Sequence, residues 1–305
     1  IGNVTHSALR LHSGLLVRRI EKRSQPCGVV APVFQPPEAL QRTHGSVVAY
    51  CAEYSAHYSL ARIISDLDIP PIGALRGRRR VKDECAVTEG MDLFVAIAGH
   101  PVWGWLSDEE RPWRLMDPES ESGLMHRIAD LAREAGSSNR EDLDIDDSKG
   151  PVFVHDEAYI GPYVRIEGPA YVEAGAEIRH GAYLRPGSYV CSGCVVGHSS
   201  EIKNTLMMPG SKAPHFNYVG DSILGSNSNL GAGAKISNVR LDRGNVPVRF
   251  SDGSTIDTGM RKVGAMIGDS SELGCNVVTN PGAVIPPSSA VPPNSTVTGY
   301  WSPAS

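Results

Sequence analysis

Residues able to move protons or hold anions gather between positions 185 and 221. His215 is flanked by Lys212, Tyr218 and Asp221, and Arg185, Glu201 and Lys203 lie just upstream. A neutral imidazole near neutral pH can take a proton from an amine. Guanidinium and ammonium groups suit a phosphate or another anion. The same residues would also suit a solvated loop, so the element that carries them decides between the two readings. Two further sets could hold a metal. His180 and His198 form one pair, and Cys191 and Cys194 form a CxxC. No third histidine shares the spacing of the first pair, because residue 162 is Pro. The cysteines fit zinc or redox use less well than they fit small residues filling a repeat.

That repeat is what must position these side chains. Val154, Ile160, Ile166, Val172, Ile178, Leu184, Val190, Val196, Ile202 and Met208 recur every sixth residue. Small residues follow four positions later at Ala158, Ala170, Ala176, Ala182, Ser188, Cys194 and Ser200. A period of six is neither helical nor that of a lone amphipathic strand. It predicts short strands wound into a parallel β-helix, three hexads to a coil, so that residues three hexads apart stack. His180 and His198 have that spacing and would lie on successive coils. The ladder fails at 209–221, predicted to be a polar loop, and resumes at Leu224, Leu230 and Ile236. It fails again at 241–262 and resumes at Ile267, Leu273, Thr279, Ile285, Val291 and Val297. Long interruptions of a regular scaffold commonly carry function, so the chemistry is expected at these two breaks.

The rest of the chain reads differently. Residues 1–90 carry more basic than acidic residues, the remainder more acidic than basic. We expect 1–90 to be poorly ordered or extraneous, with one helix over Val47–Ile64, and Met91 to be a natural start. The Arg-rich composition also fits an organellar leader, although the acids within it argue against one. Residues 91–150 read as a helical cap and linker. Leu124, Ile128 and Leu131 share one helical face and Gly136 is a stop. This segment is expected to protect the open end of the β-helix. The repeat domain spans 151–300.

The segment RPGSYV…VGHSSEIKNTLMMPGSKAPHFNYVGDSILGSNSNLGAGAKISN resembles the acetyltransferase region of the bifunctional bacterial enzyme that makes UDP-N-acetylglucosamine. The shared pattern is RPG, E-x-K, K-x-x-H-x-x-Y-x-G-D, N-x-G-A-G and then Asn, across roughly 151–298. The resemblance implies a mainly β fold, a single-stranded left-handed parallel β-helix assembled as a homotrimer, with acetyl-CoA bound between subunits. It implies N-acetylation of an amino-sugar 1-phosphate in nucleotide-sugar biosynthesis. By matching positions, His215 resembles the general base and Asn238 the residue that orients the amine or the acetyl carbonyl. Arg185, Glu201, Lys203, Tyr218 and Asn229 resemble substrate contacts, and Lys262 takes the place of a neighbouring lysine. Ala232 and Cys275 fall where acetyl-CoA would lie. Val239 stands where the bacterial enzymes carry Tyr. The ending RKVGAMIGD is closer to archaeal sugar-1-phosphate nucleotidylyltransferase/acetyltransferases. Residues 1–150 hold no G-x-G-T-x-M/L loop, so nucleotidyl transfer is not expected of this chain.

Composition narrows the alternatives. A formal charge of -5 argues against nucleic acid as the main partner. No apolar run is long enough to span a membrane. The six cysteines show no regular disulfide spacing, which fits a reducing, cytoplasmic setting. Two rival readings remain: a non-catalytic β-helix scaffold or regulatory subunit, and a metal enzyme similar to the γ-type carbonic anhydrases, built on His180 and His198.

Overall fold

The computed structural model describes residues 93–97, 99–107, 111–136 and 142–302. The predicted helix over Val47–Ile64 and the Arg-rich stretch lie outside these residues.

The aliphatic residues of the ladder point to a common axis, and the chain winds around it as a three-faced parallel β-helix. The first face stacks Asp144–Asp146, Arg165–Glu167, Tyr183–Leu184, the start of Glu201–Met207, the start of Tyr218–Leu224, Lys235–Ile236, Val278–Thr279 and Thr296–Val297. The second stacks Val152–Val154, Ala170–Val172, Ser188–Val190, the ends of those same two long strands, Ala265–Ile267 and Ala283–Ile285. The third runs from Tyr159–Ile160 through Glu177–Ile178, Val195–His198, Lys212–His215, Asn229–Leu230 and Glu272–Leu273 to Ala290–Val291. Parallel strands slant their hydrogen bonds to the coil above and below, so each coil satisfies its neighbour. Ala158, Ala170, Ala176, Ala182, Ser188, Cys194 and Ser200 are all buried, because only small side chains fit where the coil turns its corners. Ile202 is fully buried on the axis. Ile202→Ala should cost about 2–5 kcal/mol, read as a drop in the denaturant midpoint.

The first ladder failure is not a loop. Leu184 pairs with Ile202, a full three hexads on, but Ile202 pairs with Val219 and Val219 with Ile236, each step one position shorter. One residue is missing from each of two corners. The ordinary corner between Leu184 and Ser188 spans Arg185, Pro186 and Gly187. The corner between Ile202 and Thr205 has only Lys203 and Asn204, and that between Val219 and Ser222 only Gly220 and Asp221. The chain makes these tight corners with Asn204 and Asp221 at φ 44° and 49°, the left-handed region that Asn and Asp tolerate better than other side-chain-bearing residues. The strands therefore run unbroken as Glu201–Met207 and Tyr218–Leu224. Residues 209–221 are coil sides in shifted phase, and Met207, not Met208, pairs with Val190.

The segment expected to plug an open end instead lies along the second face. Helix Leu124–Ala135 buries Leu124, Ile128 and Ala132 against Val152–Val154, Ala170–Val172 and Glu201–Met207. Further along, the Ala96 amide donates to Asp269 Oδ2 at 2.7 Å and the Asp269 amide to the Leu93 carbonyl at 2.9 Å. The 241–262 insertion is also mostly structural. Its hairpin, Pro247–Arg249 with Thr255–Asp257, packs on Ala283–Ile285, and Phe250 meets Trp113 at 6.0 Å between ring centroids. The N-terminal layer and the hairpin thus share the cover of the second face, while the other two faces keep their polar side chains outward.

Candidate active site

The tight corners set up a polar network along the edge between the first and second faces. Asp221, 3% exposed in its side chain, is its hub. Lys203 Nζ donates to both carboxylate oxygens, at 2.9 and 3.2 Å. Asn204 Nδ2 donates to Oδ1 at 2.9 Å and to the Met116 carbonyl of the N-terminal layer at 2.8 Å. Asn238 Nδ2 donates to Asp221 Oδ2 and to the Tyr218 hydroxyl at 3.4 Å. One coil away, Arg185 Nη1 donates to Glu201 Oε1 at 2.7 Å, and that bond raises the Arg185 pKa. Burial is the main cause raising the Tyr218 phenol, with Asp221 adding to it.

Gly220 makes the network possible. A Cβ there would stand 2.7 Å from both the Tyr218 hydroxyl and Asn238 Nδ2, so the bare backbone lets the Tyr218 ring lie along the first face. Tyr218 thereby spans from the edge where its strand begins to the Asn238 edge.

His215 stands at that other edge, where the third face turns into the first. It ends strand Lys212–His215 and is exposed. Its carbonyl accepts from the Gly233 amide at 3.0 Å, the Ala232 carbonyl from Asn276 at 2.9 Å and the Cys275 carbonyl from Asn294 at 2.9 Å. These bonds put His215, Ala232 and Cys275 in one column on successive coils. The column continues the other way through His198, which pairs with His215 in strand register, and His180, whose ring stacks on that of His198 at 4.8 Å. A third histidine does share the register: the shortened corner brings His215 into line with His198 one position early, which a strict count of three hexads misses. Among the described residues, the group of three metal donors that gathers within 4.8 Å is nevertheless another set, His100, Glu173 and Cys191.

Of the sequence-predicted residues, Arg185, Glu201, Lys203, Tyr218 and Asn238 share the first face and its far edge, and His215, Ala232 and Cys275 share the near edge. Lys262 is exposed at the base of the insertion, where residues 239 and 262 bridge beside Asn238. Asn229 lies on the third face, where its Nδ2 donates to Glu272 Oε2 at 2.9 Å, and does not join the network. Sequence reasoning placed Asp221 beside His215 without giving it a role, and left out Asn204. The Gly-Asp that closes the K-x-x-H-x-x-Y-x-G-D pattern was the available signal.

The arrangement offers an exposed imidazole at one edge and cations with spare donors at the other. Arg185 carries five N–H groups and Lys203 three, more than the bonds to Glu201 and Asp221 use.

Residues 166–286 match a family model described as the GMPPB C-terminal domain. The chain is 35% identical over 156 residues to an uncharacterized acetyltransferase, YaiX, of Escherichia coli, covering 51% of this chain and 67% of that protein. It belongs to the left-handed β-helix acetyltransferase family. Two longer, bifunctional proteins are also similar. A bifunctional sugar-1-phosphate nucleotidylyltransferase/acetyltransferase of Sulfurisphaera tokodaii is 44% identical over 90 residues, 30% of this chain and 22% of that protein. A bifunctional protein GlmU of Methanococcus aeolicus is 31% identical over 189 residues, 62% of this chain and 44% of that protein. The chain thus spans less than half the length of these two bifunctional relatives.

Proposed function

We propose that the protein transfers the acetyl group of acetyl-CoA to the amine of an amino-sugar 1-phosphate, serving nucleotide-sugar biosynthesis. The observation that carries this reading is the edge column in which His215 precedes Ala232 and Cys275, joined across the first face by Tyr218 to the Arg185 and Lys203 cations. Acetyl-CoA would lie along the Ala232 and Cys275 end of the column. The sugar would lie on the first face with its phosphate on Arg185 and Lys203. The amine nitrogen attacks the thioester carbonyl, His215 takes the amine proton, and as the C–S bond breaks His215 passes that proton to the sulfur, releasing the CoA thiol. Asn238 is the donor for the developing oxyanion or for the amine. Holding both substrates in one groove supplies much of the acceleration.

In one chain His215 and Asn238 stand at opposite edges of the first face. This separation supports a homotrimer in which neighbouring copies face each other across the groove and complete the site.

The test is thiol release from acetyl-CoA with a panel of amino-sugar 1-phosphates. Release with none of them would overturn the reading in favour of a scaffold. The phosphate role has its own check. Arg185→Ala should raise KM for the phosphorylated acceptor about 10–100-fold, the worth of a charge-assisted hydrogen bond. It should leave KM for the unphosphorylated amino sugar unchanged, and equal increases for both would remove Arg185 from phosphate binding.

A further inference from the structure

A second cluster of chemistry-bearing side chains lies far from this groove, on the corner between the second and third faces. Glu173 and Cys191 occupy the same corner position on successive coils, and His100 reaches them from the N-terminal layer. His100 Nε2 is 3.2 Å from Glu173 Oε1 and 3.3 Å from Oε2. The Cys191 sulfur lies within 4.8 Å of both donor groups. The thiol is fully buried, and the His100 and Glu173 side chains are 19% and 16% exposed, so the cluster opens to solvent on one side only. Tyr189, whose hydroxyl meets Glu173, borders it, and the Trp105 ring packs edge to face on Tyr189 at 5.5 Å. No part of the proposed acetyl transfer uses it.

We propose that His100, Glu173 and Cys191 bind a zinc ion that ties the N-terminal layer to the β-helix. The donor set decides the metal. A thiolate, an imidazole and a carboxylate match borderline-soft Zn²⁺, whereas Mg²⁺ and Ca²⁺ take oxygen. Around tetrahedral zinc the donor atoms stand roughly 3.3–3.7 Å apart. The histidine and carboxylate are already at about that separation, so the sulfur has at most about 1 Å to close. The fourth position faces the open side and takes water. Glu173 is held for the task, since Tyr189 Oη donates to Oε1 at 2.7 Å and the Ser192 amide to Oε2 at 2.8 Å. As the Zn–S bond forms, the thiol gives its proton to solvent. The His100 proton moves from Nε2 to Nδ1, at the expense of a long 3.4 Å bond from the Val102 amide. Without a metal, a Cys191 thiolate would stand buried next to the Glu173 carboxylate, two like charges side by side. A divalent cation reverses that relation. The CxxC itself is not the ligand pair. The partner cysteine turns inward, with Cys194 Sγ donating to the Met208 carbonyl at 3.0 Å and 3.4 Å from Ser211 Oγ.

The full chain, stripped of metal and kept reduced, should bind one added Zn²⁺ per chain by titration calorimetry. At zinc about 100-fold above Kd, Tm should rise by about 5–10 °C, because the folded state alone gathers the three donors. The same concentration of Mg²⁺ should leave Tm unchanged. Cys191→Ser and His100→Gln should each weaken zinc binding at least about 10-fold, while His198→Ala, on the exposed histidine column, should not. With Co²⁺ the wild-type protein should show a thiolate-to-metal charge-transfer band, a readout that does not depend on any variant folding. Absence of that band, binding that survives both ligand substitutions, or binding lost in His198→Ala would each overturn the proposal.

Discussion

His215→Ala should lower kcat for acetyl transfer by about 10²–10⁴-fold, the usual worth of a positioned general base, and leave the fold intact. The imidazole is exposed and the local structure is held by the backbone: the His215 amide donates to Asn217 Oδ1 at 2.9 Å and its carbonyl accepts from Gly233. Alanine keeps both bonds, so stability should stay within about 0.5 kcal/mol, as for surface substitutions generally. His215→Gln separates proton transfer from hydrogen bonding. Glutamine can still donate and accept but cannot take up the amine proton, so it should be as slow as alanine. If glutamine restored the rate, His215 would be an orienting group and the base would lie elsewhere. Unchanged kcat in both variants, with thiol release intact in the wild type, would remove the histidine column from the chemistry.

The scaffold was readable in the sequence because its physics is periodic. Each aliphatic anchor from Val154 to Ile202 faces one axis, and the small residues between them fit where nothing larger can. The site was less readable because it depends on two single-residue deletions. A one-residue phase shift, repeated at Asn204 and Asp221, looks to a six-residue count like a polar loop, especially beside Pro209, Gly210 and Pro214. The same shift hid the register between His198 and His215, since their spacing falls one short of three full hexads. The position of the N-terminal layer was not legible at all. The pattern over 124–135 shows that the helix has an apolar face, but an open end and an uncovered flank would both accept it. The second face is covered because Phe153, Tyr171 and Tyr189 stack along it; without the layer, that aromatic row would meet water.

The hub of the polar network gives the largest expected stability change. Asp221→Ala leaves the Lys203 ammonium, 22% exposed, without its counter-ion, and leaves Asn204 Nδ2 and Asn238 Nδ2 each short of an acceptor. Removing one partner of a largely buried pair costs about 3–5 kcal/mol, and alanine at φ 49° adds about 1 kcal/mol. For a domain of this size the sum corresponds to a Tm drop of about 8–24 °C. Asp221→Asn should fall between wild type and alanine. Asparagine tolerates the left-handed corner, but its single oxygen replaces two: Oδ1 now accepts from Lys203 and Asn204, Oδ2 from Lys203 and Asn238, so one amide would face another donor. Lys203→Met in the Asp221→Ala background should regain part of the loss, because the unpaired charge goes with it. Such recovery identifies the isolated cation as the main cost. A Tm order of wild type, Asn, Ala, with partial recovery in the double variant, is the expected result. If Asp221→Ala melted within about 1 °C of wild type, the tight corner would owe its shape to the backbone pairing of the coils alone, and the Asp221 network would be an effect of the fold rather than one of its supports.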